Sequence, residues 1–149
     1  GLRNAKGDYL TIFAVTERIL PTKINDQVSH LNENPLSVAT ICYSSLIHKD
    51  SGQLMKKEIG AHTIMFRNYV LDTIGYYDST RYSAYQEFVE RMEKVYGKPF
   101  LHRSSKVLSV KKDDERKEVI YLTKARQWHE TNIPLYMPFP LKKRPFSLR

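Results

Sequence analysis

A single cysteine, six scattered glycines and a lone tryptophan in 149 residues close off several chemistries at once. Cys42 has no second thiol to pair with, so an intramolecular disulfide and any site needing two thiolates are excluded. Its neighbours, "VATICYSSL", place it inside a strand as a core thiol, and a reducing, intracellular compartment is the default expectation. No glycine-rich phosphate loop is present, and no apolar run approaches the roughly 18 residues of a membrane helix. The opening "GLRNAKGDYLTIFAV" has basic residues before an apolar run, but Glu17 and Arg18 follow too soon for a secretory signal. His30, His48, His62, His102 and His129 include no pair at the spacing that puts two imidazoles on one helical face. The carboxylates Asp113, Asp114 and Glu115 sit in a charged turn beside lysines and arginines. No metal and no cofactor are therefore expected.

What the chain does have is positive charge, unevenly placed. The formal net charge is +8. Residues 1–75 hold eight Lys/Arg against seven Asp/Glu, and residues 76–149 hold sixteen against nine. The second half therefore carries +7 of the total, which favours an anionic partner such as nucleic acid, an acidic protein or a membrane surface.

Local patterns divide the chain into strands and two helices in the order βαβββαββ. "DYLTIFAVTERIL" (8–20) is rich in strand-favouring residues and ends at Pro21. A short helix near 22–32 follows, with Thr22 as cap, Ile24, Val28 and Leu31 as its apolar positions, and Asn34-Pro35 as its end. Residues 36–67 are expected to form a hairpin about Asp50-Ser51-Gly52, and 68–77 a further strand.

The long helix, about 79–96, is marked by Tyr82, Tyr85, Phe88, Val89, Met92, Val95 and Tyr96 at spacings of three and four. Asp78 or Ser79 is its expected cap, Glu87, Glu90, Arg91 and Glu93 fall largely off the stripe, and Gly97 with Pro99 closes it. A second hairpin is expected from strands near 106–111 and 118–125. The class is α+β: a curved antiparallel sheet packed on the long helix, a single globular domain over 1–130. Residues 131–149, with four of the seven prolines, form an extended arm.

Four candidate sites follow. In "GAHTIMFRNYVLDTIGYYDS" a histidine and an aspartate lie sixteen residues apart, His62 and Asp78, an arrangement suited to an imidazole general base oriented by a carboxylate. The pattern resembles the histidine and acid strands of ubiquitin-like-specific cysteine peptidases. That resemblance implies a downstream cysteine in a glycine-containing motif, and none follows His62. "STRYSAYQEFVERMEKVYG" resembles the strand-to-helix junction of phox-homology domains, which implies a lipid-phosphate contact at Arg81; the proline-rich loop of those domains is missing here.

The broadest signal is "GKPFLHRSSKVLSVKK" (97–112), with five Lys/Arg and no acid. It makes Lys98, Arg103, Lys106, Lys111 and Lys112 candidate nucleic-acid contacts, joined by Lys124, Arg126, Lys142, Lys143 and Arg144. Phe100, Tyr121, Trp128 and Tyr136 are aromatics able to stack on bases. Finally, the proline-aromatic arm can lie in a partner's groove through Tyr136, Phe139 and Phe146.

The expectation is a non-enzymatic basic binding module, a subunit or accessory protein of a nucleic-acid-containing assembly. The alternatives are a protein-interaction subunit without nucleic acid, and a small hydrolase using His62 and Asp78.

Overall fold

In the computed structural model, which describes residues 2–13, 17–77 and 84–113, a central strand β3 (Ala39–His48) organises the rest. Its first half pairs antiparallel with β5 (Ile64–Arg67) and its second half with β4 (Leu54–Glu58), both on one side. On the other side runs β6 (Leu101–Asp113), parallel to β3. β1 (Tyr9–Thr11) extends the sheet beyond β5, and β2 (Glu17–Ile19) extends it beyond β6, both antiparallel. Among the described residues the result is a curled half-barrel sheet with three helices; the class is the expected α+β, but the parallel β3–β6 pair corrects the expectation of an antiparallel sheet.

Curling eases the connection between β1 and β2. β1 and β2 sit at opposite ends of the order β1-β5-β3-β6-β2. The six steps from Thr11 to Glu17 reach about 20 Å when fully extended. Four strand spacings in a flat sheet span roughly 19 Å. Bending the sheet brings the two ends within easy reach. The run 8–20, expected as one strand, is therefore two short strands that serve opposite edges.

The sheet is covered on both faces. Ala39 and Ile41 turn to the side where α2 (Val70–Ile74) and α3 (Ala84–Tyr96) supply Leu71, Ile74, Phe88, Val89 and Met92 to one apolar core. On the other side, α1 (Lys23–Glu33) buries Lys23, Gln27 and Leu31, one residue per turn. Arg67 ties that helix to the sheet by donating to the carbonyls of Leu31 and Asn34.

Several local expectations hold. The turn at 50–52 has Gly52 at φ 69°, and His48 Nδ1 accepts from the backbone amides of Asp50 and Ser51, 3.3 Å each. Asn34 ends α1, returning its amide to His30 O at 3.0 Å. Gly97, at φ 95°, closes α3.

Others are corrected. Residues 68–77 are not a strand. Val70, Leu71 and Ile74 are buried at helical spacing in α2, which Gly75 ends at φ 78°. In α1, Ile24 is exposed and Lys23 and Gln27 are buried instead, because these two serve backbone carbonyls at the sheet end. Thr22 precedes α1 without a side-chain cap bond. Arg91, expected toward solvent, is buried.

β6 takes the place of the expected strand 106–111. However, Ser109–Lys111 is paired with β3 on one edge and β2 on the other. The place beside it expected for 118–125 is held by β2. Residues 118–125, the arm 131–149 and the caps Asp78 and Ser79 lie outside the described residues.

Candidate functional site: strand β6 and its cleft against α1

The basic stretch 97–112 becomes a short 3-10 turn, Lys98–Phe100, followed by β6. β6 is not regular. Ile41 pairs with Arg103 and Tyr43 with Val107, so β6 uses four residues where β3 uses two. The surplus, Ser104 to Lys106, forms a bulge in which Ser104 Oγ accepts the Lys106 amide at 3.2 Å. Bulges re-aim side chains. Here Arg103 leaves toward α3 and bonds Glu93 Oε1 at 2.7 Å, while Lys106 leaves toward α1 and bonds Asp26 Oδ2 at 3.0 Å. Both stay at the surface, 50% and 61% exposed.

Lys111 Nζ lies 3.7 Å from Glu58 Oε1 and is half-buried. Lys98 and Lys112 are exposed. The five cations of this stretch thus do not share one face. Arg103 and Lys106 leave on opposite sides of the sheet, and three of the five have acidic partners.

The bulge also opens a cleft of about 110 Å3 between β6 and α1. Asp26, Gln27 and His30 line it from the helix, and His102, Ser104 and Lys106 from the strand. His30 and His102 stack in it with ring centroids 3.7 Å apart and planes 18° apart. Burial pushes the His30 pKa down and His102 adds to that, against an opposing pull from Glu33, so His30 is neutral at pH 7.

Gln27, 2% exposed, donates from Nε2 to Thr40 O at 3.3 Å and to Thr63 O at 3.0 Å. Two carbonyl acceptors settle which end of the amide is nitrogen. Its Oε1 is enclosed and has no hydrogen-bond partner.

His62 sits elsewhere, on the 3-10 turn Ala61–Thr63 that joins β4 to β5. Its Nε2 is 3.9 Å from Glu17 Oε1 and 3.9 Å from Glu58 Oε1, and makes no hydrogen bond. Lys23 Nζ donates to His62 O at 2.5 Å and lies 4.0 Å from Glu17 Oε1. Burial lowers the His62 pKa, Glu17 and Glu58 oppose it, and Lys111 and Lys23 assist it.

Nearby, Cys42 is fully buried, donates to Thr63 O at 3.4 Å, and has its pKa raised by burial, so the thiol is inert. The carboxylates facing His62 are thus Glu17 and Glu58, which the spacing argument for Asp78 missed. The signal available was Lys23, Gln27 and Leu31 at intervals of four, a stripe two-thirds polar.

Among the described residues, no group of three or more His, Cys, Asp or Glu could hold a metal ion, and no helix is long and apolar enough to cross a membrane. Arg81, Asp78, Tyr121, Lys124, Arg126, Trp128, Tyr136, Phe139, Lys142, Lys143, Arg144 and Phe146 lie outside the described residues. No protein-family model matches the chain, and no curated protein is similar enough to it to count as a relative.

Proposed function

We propose that the chain is a non-enzymatic binding module for nucleic acid, and that the contact runs along β6. The observation that carries this reading is that Lys98, Arg103, Lys106 and Lys112 all reach the surface from a stretch without a single acid. The ion pairs of Arg103 and Lys106 do not argue against it. Exposed pairs are worth about 0–1 kcal/mol, so exchanging a carboxylate for a phosphate costs little. A guanidinium also accepts a phosphate through two parallel hydrogen bonds.

Since the cations leave both sheet faces, the contact is a line along the strand, and Lys111, held by Glu58, contributes least. Affinity for a labelled single-stranded oligonucleotide, followed by fluorescence anisotropy, should fall steeply between about 50 and 200 mM salt. Replacing Arg103 and Lys106 together by Glu should weaken it by roughly tenfold or more. Salt-independent binding, or none to any polynucleotide, refutes the reading.

A protein-interaction surface is the second reading, favoured by Phe13, Leu20 and Ile24. All three are exposed apolar side chains near the start of α1, and Lys23 Nζ lies 5.1 Å from the Phe13 ring centre. Under this reading, Leu20→Arg with Ile24→Arg stops a partner protein from co-purifying and leaves oligonucleotide affinity unchanged.

A further inference from the structure

We infer that the corner where α3 ends and β6 begins is a stacking site for one unpaired base of a single strand, with the Phe100 ring as its platform; the inference rests on the nucleic-acid reading above. An exposed aromatic side chain is by itself ordinary on a protein surface. Three properties set Phe100 apart: solvent reaches its side chain, its backbone is fixed, and lysines stand close by.

Phe100 is 38% exposed although it lies between two regular elements, α3 and β6. One edge of its ring rests against Gly97, where a Cβ would lie 3.4 Å from Phe100 Cδ2. The Phe100 amide donates to Gly97 O at 3.1 Å. Its carbonyl accepts from Val38 N at 2.8 Å and from Ser37 Oγ at 3.4 Å. Pro99 restricts the backbone just before it. A ring carried on such a backbone gave up its freedom during folding, so a ligand that stacks on it does not meet that cost again.

Charge selects the ligand. Lys98 and Lys94 are both exposed, the first on the turn that carries Phe100 and the second in the last turn of α3, three residues before Gly97. The acids of this end of α3 are Glu93, already held by Arg103 at 2.7 Å, and the exposed Glu90 one turn before Lys94. The site does not need Arg103 to leave Glu93, because the two lysines suffice for the phosphates on either side of one base. An apolar peptide would cover those ammoniums without pairing them. A second copy of this chain would bring the same lysines against them. Bases in a duplex are stacked on one another, whereas an unpaired base offers its face to an aromatic ring, whichever base it is. The occupant is therefore a single strand, bound without strong base preference.

The test compares two labelled probes on the full chain by fluorescence anisotropy: a short oligothymidine, and the same strand with abasic sugars in place of its nucleosides. Both carry the phosphates, and only the first can stack. Oligothymidine should bind at least about fivefold more tightly. Phe100→Leu should remove most of that difference and leave the slope against salt unchanged, while Phe100→Trp should keep both. Since the ring also packs on Gly97, a second measurement uses the unaltered chain: the aromatic NMR signals of Phe100 should move with oligothymidine and stay in place with the abasic strand.

Equal affinity for the two strands overturns the platform, and so does a difference that Phe100→Leu leaves intact or Phe100 signals that move alike with both. If binding is still steeply salt-dependent in those cases, the nucleic-acid reading survives. Base-dependent binding that Phe100→Leu removes, but that salt does not weaken, keeps the platform and overturns the line of cations along β6. No binding to either strand or to any other polynucleotide overturns both.

Discussion

Lys23 has no solvent exposure, although lysine is among the residues least often buried. Its ammonium is held by His62 O and by the equally buried Glu17 carboxylate. Burial lowers its pKa and Glu17 opposes that, so the charged form depends on the pair. Lys23→Ala leaves the Glu17 charge enclosed, and should cost about 3–5 kcal/mol in urea unfolding. Lys23→Met combined with Glu17→Gln removes both charges and should recover most of that loss; a loss below about 1 kcal/mol for Lys23→Ala would show that water reaches the pair.

His62 gives the same region a pH dependence. Its folded pKa lies below the ordinary 6.5, chiefly through burial. Above 6.5 neither state holds the proton; below it the unfolded chain binds one first. Stability is therefore full above 6.5, falls as the pH drops below it, by at most about 1.4 kcal/mol per unit, and levels off beneath the folded pKa. Urea midpoints across this range should show the decline, to which His30, also held below 6.5, adds its own share; His62→Gln should make it shallower, and His62→Gln with His30→Gln shallower still.

Among the elements, α2 is the least able to stand alone, because five residues cannot form a stable helix in isolation. Arg91 of α3 holds it. The guanidinium donates to Ile74 O at 2.6 Å and Tyr76 O at 3.1 Å, and its other nitrogens grip both oxygens of Glu87. A lysine, with three donors on one nitrogen, cannot make these four bonds or span their fork. Arg91→Lys should cost about 2–3 kcal/mol and expose the α2 amides to faster hydrogen exchange.

Arg91 also marks where the sequence stops being readable. The stripe Phe88, Val89 and Met92 announces α3 because helical spacing is a local property. The turn at Gly52 is equally local. The burial of Arg91 depends on carbonyls seventeen and fifteen residues earlier in the chain, and no periodicity reports that. α1 shows the same limit: its apolar positions suggested Ile24, while the buried face was set by carbonyls of Thr40, His62 and Thr63. The parallel pairing of β3 with β6, and the bulge that builds the cleft, depend on partner choice across the whole sheet. Of the residues lining the cleft, only Lys106 was marked beforehand as a binding candidate; Gln27 and His30 were not.

Across the whole molecule, charge and structure are laid out differently. The +7 of the second half is a property of sequence position, but the fold sends Arg103 to one face and Lys106 to the other. A protein built this way has no broad positive face on β6 alone, so the proposed binding of a polyanion requires contacts gathered from several places along the chain. The arm 131–149 holds Lys142, Lys143, Arg144 and Arg149 with no acid. If it adds phosphate contacts without supporting the core, removing it should leave the melting temperature within the error of the measurement. The slope of log affinity against log salt should become shallower by up to about 3, at roughly 0.7 per contact on a single strand. A large drop in melting temperature would instead make the arm part of the fold. An unchanged slope would confine the contact to the stretch around β6, where Arg103→Glu with Lys106→Glu should then remove about half or more of the salt dependence, leaving Lys98 and Lys112 to supply the rest.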